Sequence, residues 1–281
     1  MLDGCLPGTL DHGADVDPTR ATGEIAKARG DAEALLRHGC SEVGGGVPDS
    51  LGGVTAADLG DDSARVRVGS GPVARVSRSA LRANARLIDG PFLGDFAADA
   101  WGHGVAEVRR ALDDVITDRR PSSPVPARDD GLPAEHVNTL LGLPGGDSRS
   151  RPAMSLVGRV LSTKVLLADE GVSYGLTYRA PEDTHIALVT GGYAQGVLRG
   201  LGNRVSVSIA QRRCSVIGRV AMDVCVVDIG DAHPERGAEV VFFGDGEDEE
   251  PHVREWCAAS GLSGLEIVTA VGLHARREYV P

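Results

Sequence analysis

Beyond about residue 151 the apolar positions fall into short β-rich runs: residues 156–167, 184–189, 205–209, 214–220, 224–229, 239–243 and 266–271. Turn residues separate these runs at short intervals, which predicts an antiparallel sandwich or barrel rather than strands joined by crossover helices. One helix is expected among them, over residues 252–260. Val253, Trp256 and Cys257 share a side of it, and Gly261 stands where a left-handed cap would end it.

Upstream the spacing is different. Residues 73–76 read as a strand, and Ser77 is placed to cap a helix that carries Leu81 and Ile88 and closes at Gly90. Residues 92–100 read as a weaker strand, followed by a helix over residues 104–116 with Val105, Val108, Leu112 and Val115 on one face. Two such β–α units cannot close a parallel barrel, which takes eight. In residues 118–133 Pro, Ser and charge replace periodic apolar positions, as in a linker. Residues 1–70 are rich in Gly, Asp and Ala and predict a loose leader with one helix over residues 25–38. The expected class is α+β. A leader (1–70), an α/β segment (71–117) and a connecting stretch (118–150) precede a mainly antiparallel β domain (151–281).

Composition narrows the functions. The 281 residues carry a formal charge of −11, which argues against binding nucleic acid or an anionic membrane face, since both need a surplus of Lys and Arg. No apolar run approaches the roughly 20 residues that span a bilayer. The acidic start lacks an apolar signal core, so the expectation is a cytoplasmic protein with small-molecule ligands. Five cysteines (Cys5, Cys40, Cys214, Cys225 and Cys257) are odd in number and form no C-x-x-C pair, so neither a disulfide framework nor a zinc site is expected. The acidic run 244–251 reads as a solvated loop, and no metal site is assigned. Basic residues are almost all Arg: the only lysines are Lys27 and Lys164.

Five motifs occur in order in the β half: GVSYGLTY (171–178), GGYAQGVLR (191–199), GRVAMDVCVVDIGD (218–231), AEVVFFG (238–244) and RREYV (276–280). Together they resemble the C-terminal domain of alanine racemases. Residues 74–87 resemble the strand and helix that open the family's barrel, residues 99–112 its next turn and helix, and residues 140–156 its exit. Most of the eight β–α units that lie between have no counterpart, so residues 71–117 read as a truncated barrel remnant.

The resemblance implies pyridoxal-phosphate-dependent interconversion of L- and D-alanine, serving D-alanine supply for cell walls, in a dimer. It assigns Tyr174 as the base on one face of the substrate. A phenol needs positive charge or donors nearby to exchange protons near neutrality. The backbone of Met222, with Asp223 beside it, matches the element that holds the substrate carboxylate. Tyr193 and Arg199 match G-Y-A-x-G-x-x-R, with Gln195 in place of its Asp; Arg277 and Tyr279 match the tail, and His274 replaces an Arg. His103 is expected to cap or pack at the start of the following helix rather than to ligate.

The family's cofactor contacts are replaced. Ala97 stands where the Schiff-base lysine belongs, Trp101 replaces a phosphate-binding tyrosine, and Leu265 replaces another. Aldimine chemistry requires a primary amine over the cofactor, which a methyl group cannot supply. The expectation is therefore a degenerate racemase relative, inactive alone and a doubtful holder of pyridoxal phosphate. Three alternatives stay open: a module that pairs, as homodimer or heterodimer, with a full-length racemase through its β domain; an active racemase of reduced form; and a decayed gene product.

Overall fold

A computed structural model describes residues 71–89, 96–119 and 132–281. Leading the described part, β1 (Val73–Ser77) runs into α1 (Arg78–Ala85). The junction is held locally, because Ser77 Oγ accepts the Ala80 amide at 3.1 Å, as the sequence predicts. Leu81 and Ala85 of α1 are buried, and so is Ile88 just past its end. The predicted closing Gly90, the whole leader with its helix and Lys27, and residues 120–131 lie outside the described residues.

The expected strand over residues 92–100 does not form in its described part. Residues 98–101 instead make a left-handed turn, with φ of 46, 54, 54 and 51° at Ala98, Asp99, Ala100 and Trp101. The helix expected over residues 104–116 forms in two pieces, α2 (Val105–Ala111) and α3 (Asp113–Asp118), because Leu112 leaves helical geometry at φ −109°, ψ 7°. Its apolar face is nevertheless real: Val108, Leu112 and Val115 are buried. A helix that the pattern had not revealed, α4 (Ala134–Leu141), packs on α1, where Asn84 Nδ2 donates to the carbonyls of Leu140 (3.1 Å) and Arg151 (2.7 Å).

The remaining strands are β2 (Met154–Leu166), β3 (Gly171–Val172), β4 (Tyr178–Arg179), β5 (Thr184–Thr190), β6 (Ser206–Ile209), β7 (Arg212–Ile217), β8 (Val224–Asp228), β9 (Glu239–Phe243) and β10 (Arg276–Val280). Six of them close into an antiparallel barrel in the order β2-β5-β8-β7-β6-β9, and β9 returns to β2. Closure removes the exposed edges that an open sheet of this size would present. β1 joins β2 antiparallel, and β10 lies parallel to β1 with Val73 opposite Arg276. Val189, Val207, Val227, Val240 and Phe242 fill the core. This is the expected α+β class with an antiparallel barrel.

One predicted strand is a helix. α5 (Val253–Ser260) was expected, but residues 266–271 belong to α6 (Gly264–His274). β-branched Ile267, Val268 and Val271 suggest a strand, yet a reciprocal cap overrides that preference. Ser263 Oγ accepts the Glu266 amide at 3.2 Å, and the Glu266 carboxylate takes the Ser263 amide at 2.8 Å. Ile267, Val268 and Val271 then fall on one buried face. Cys214, Cys225 and Cys257 are free thiols, and burial pushes Cys225 up to about 12.

Candidate functional site

Tyr174 rides on a hairpin. Val172 and Tyr178 are paired across β3–β4 and pack on Leu166, Ala180, Ile186 and Ile217. The hairpin is thereby anchored to the barrel wall while its turn projects. The turn bends sharply, with positive φ at Ser173 (64°), Gly175 (75°) and Leu176 (45°). Ser173 Oγ ties it down by donating to the Arg219 carbonyl at 2.6 Å. Tyr174 itself is left 78 % exposed.

The second wall comes from two segments stitched backbone to backbone. Gly191, Tyr193 and Ala194 donate their amides to the carbonyls of Asp223 (2.9 Å), Ala221 (3.0 Å) and Met222 (2.9 Å). The approach is so close that a Cβ on Gly192 would strike the Met222 carbonyl, so only glycine fits there. Gln195 completes the brace: its Oε1 accepts the Gly192 amide at 3.0 Å, and its Nε2 donates to Asp223 Oδ1 at 2.8 Å. An Asp at that position would face Asp223 with a second negative charge, so the departure to Gln195 turns a repulsive pair into a bond.

The hairpin and this wall enclose a cleft of about 360 Å³ lined by Tyr174, Tyr193, Arg199, Arg219, Val220, Ala221 and Met222. Four residues singled out in three separate motifs thus meet in one place. Arg219 was not singled out by sequence reasoning, although it lies three residues before Met222 in the same motif. Neither the Arg199 nor the Arg219 guanidinium has a hydrogen-bond or ion-pair partner among the described residues, and the Met222 amide likewise donates to no protein acceptor. The cleft therefore offers two cations, one free backbone donor and a phenol, a set suited to a small carboxylate. Asp223 serves the brace, not the cleft lining.

A second assembly surrounds the left-handed turn. Arg277 Nη1 lies 2.5 Å from Asp99 Oδ2 and 3.2 Å from the Gly102 carbonyl, and Asp99 Oδ1 accepts the Val105 amide at 2.8 Å. These bonds hold Asp99 below the usual carboxylate range, the Val105 amide most of all. Gly102 abuts Gly272 of α6, and the Tyr279 hydroxyl fills the space a side chain on Gly104 would need. His103 is wholly buried; its Nδ1 lies 3.1 Å from the carbonyls of Ala100 and Trp101, and its Nε2 has no protein partner. Burial pushes this imidazole down to about 4, so it packs neutral, as the sequence suggested. His274 is exposed at the end of α6, bonding the Ala270 carbonyl.

Residues 153–279 match the family model described as alanine racemase, C-terminal domain. This stretch therefore forms a domain of the alanine racemase C-terminal type. It is 36% identical over 187 residues to the alanine racemase of Mycobacterium tuberculosis, covering 66% of this chain and 48% of that one. It is 40% identical over 140 residues to the alanine racemase of Streptomyces coelicolor, covering 50% and 36% respectively. The chain thus spans about a third to a half of the length of these curated relatives. Among solved structures, the alanine racemase of Streptomyces lavendulae aligns with a TM-score of 0.50 at 31% identity, over 66% of this chain and 54% of that chain. That of Streptomyces coelicolor aligns with a TM-score of 0.62 at 20% identity, over 75% and 98%, which speaks for the fold.

The racemase family depends on pyridoxal phosphate, and the residues at the family's cofactor positions do not suit it. Ala97 is exposed just before the left-handed turn and carries no amine. Trp101 stacks edge-on against Phe96 at 6.2 Å and has no hydroxyl, while Leu265 packs against the main core. Lys164 sits on β2 and lines a different cleft from Tyr174. None of these four residues lines the Tyr174 cleft.

Proposed function

We propose that this chain is a degenerate alanine racemase relative that does not interconvert alanine enantiomers on its own. The carrying observation is Ala97, at the position where the racemase pattern needs a lysine, with the hydroxyls expected at Trp101 and Leu265 also gone. The retained half is substrate-facing. Tyr174 supplies a phenol, while Arg199, Arg219 and the Met222 amide are donors suited to orienting an amino-acid carboxylate beside it. The test is absorbance and borohydride reduction of the purified full chain with added pyridoxal phosphate, followed by peptide mapping. No pyridoxyl adduct is expected on Lys27 or Lys164 beyond the level of a denatured control. A stoichiometric adduct at either lysine, with D-alanine formed from L-alanine, overturns the reading.

A second reading is favoured by the surface around Tyr174. Leu176, Tyr193 and Met222 are exposed beside it, an apolar rim around a projecting phenol. Such a surface suits a β domain that lends its tyrosine to the barrel of a full-length racemase in a heterodimer. Mixing the chain with a racemase whose own matching tyrosine is replaced by Phe is the direct assay. Restored activity that depends on Tyr174 supports pairing, and the lack of any complex at micromolar concentration counts against it.

A further inference from the structure

The two faces of the β2-β5-β8 sheet are covered differently. Ala187, Val189, Cys225 and Val227 point into the barrel and are buried. On the opposite face the register places Ser162 beside Leu188 and Val226, and Lys164 beside Ile186 and Asp228. The Tyr174 hairpin lies over this face through Val172 and Tyr178, but it does not seal it. Between residues 171–173 and the sheet a cleft of about 340 Å³ stays open, floored by Leu166, Ile186, Leu188 and Val226, with Ser162 and Lys164 on its wall.

Lys164 is out of character with its surroundings. It is one of two lysines in a chain of net charge −11, it lines an aliphatic cleft, and its ammonium has no ion-pair or hydrogen-bond partner among the described residues. The carboxylate on its own face, Asp228, is two strands away, about 9–10 Å by strand spacing. Asp228 is also already engaged, accepting from Thr184 Oγ1 (2.8 Å), the Gly230 amide (3.1 Å) and the Tyr178 hydroxyl (3.4 Å). A cation without a partner beside an apolar floor is complementary to an anion with an apolar tail. The volume falls at the small end of the roughly 300–1,000 Å³ typical of ligand sites.

We propose that this cleft binds a short aliphatic carboxylate, with its chain on Leu166, Ile186, Leu188 and Val226 and its head group on Lys164 and the Ser162 hydroxyl. Ser173 forms part of the cleft and also bonds the Arg219 carbonyl, so an occupant pushes on the turn that carries Tyr174 and on the β7–β8 connection that carries Arg219. Binding here is independent of whether Tyr174 acts as a base.

The experiment is titration of the full chain with sodium hexanoate and sodium octanoate, followed by calorimetry and by backbone amide shifts, with hexylammonium as the charge control. Saturable binding is expected, tighter for octanoate by roughly fourfold per methylene. Shifts should centre on residues 162–173, 186–188 and 226. Lys164→Gln, on an exposed strand position, should keep the fold and weaken binding by about tenfold or more. Leu188→Asn should weaken it too, through the apolar floor. Absence of saturable binding, shifts centred elsewhere, or equal affinity for hexylammonium or for the Lys164→Gln chain would each overturn the proposal.

Discussion

Arg277 holds Asp99 across 178 residues of sequence, with Nη1 and Oδ2 2.5 Å apart. Asp99 sits in the middle of four consecutive non-glycine residues at positive φ, each of which costs about 1–2 kcal/mol relative to right-handed backbone. Such a turn persists only because its surroundings over-determine it. Arg277→Ala is expected to destabilise the protein by about 1 kcal/mol, discounted because both side chains are partly solvated. Asp99→Ala, which also frees the Val105 amide, should cost about 2 kcal/mol. Urea unfolding gives both values, and proteolysis near residue 99 should quicken in both variants. Equal stability of all three chains would refute the buttress.

Gly272 offers a sharper test. A Cβ there would collide with the Gly102 carbonyl, a backbone atom that cannot swing aside, so Gly272→Ala is expected to cost more than about 2 kcal/mol despite alanine's better helix propensity. Gly261→Ala, in open space at φ 79°, should cost only about 1 kcal/mol. Thermal unfolding of the two variants ranks them directly.

His103 makes stability depend on acid. Its pKa is about 4 when folded against about 6.5 when unfolded. The unfolded chain therefore binds the extra proton between those values. The stabilisation from keeping the imidazole neutral is complete above pH 6.5 and is lost as pH falls towards 4. From pH 7 to pH 5 the loss from this group is about 2 kcal/mol. His103→Gln should be less stable at pH 7 and show a flatter profile over that interval. A wild-type profile no steeper than the variant's would show the imidazole to be solvated.

Tyr174→Phe should leave stability within about 0.5 kcal/mol of the wild type, since the side chain is 78 % exposed and its hydroxyl has no protein partner. Any racemase activity completed by this chain should fall at least a hundredfold, the usual contribution of a positioned base. Loss of stability together with activity would mark Tyr174 as a packing residue.

Legibility in the sequence followed the range of the interactions. Ser77 was readable because its cap bond spans three residues, and the barrel strands were readable from their apolar runs and turns. Tyr174, Tyr193, Arg199 and Met222 were readable as one constellation because their motifs keep order and spacing. The turn at Ala98–Trp101 was not, since nothing local favours positive φ there; Arg277 and α6 impose it from the far end of the chain. Residues 266–271 misled because β-branched side chains also pack well on a buried helix face once Ser263 and Glu266 start the helix. Arg219 went unnoticed because a letter in a motif does not reveal which way a guanidinium faces.

The pairing of β1 with β10 carries a temporal consequence. Val73 meets Arg276 only after some two hundred intervening residues have been made, so on an elongating ribosome the early strand has no mate on that side for most of synthesis. At roughly 5–20 residues per second that interval lasts about 10–40 seconds. During it an unpaired strand is open to capture by a neighbouring chain or a chaperone, and slowed translation should lower the yield of native protein more than a helix-only domain of equal length would suffer.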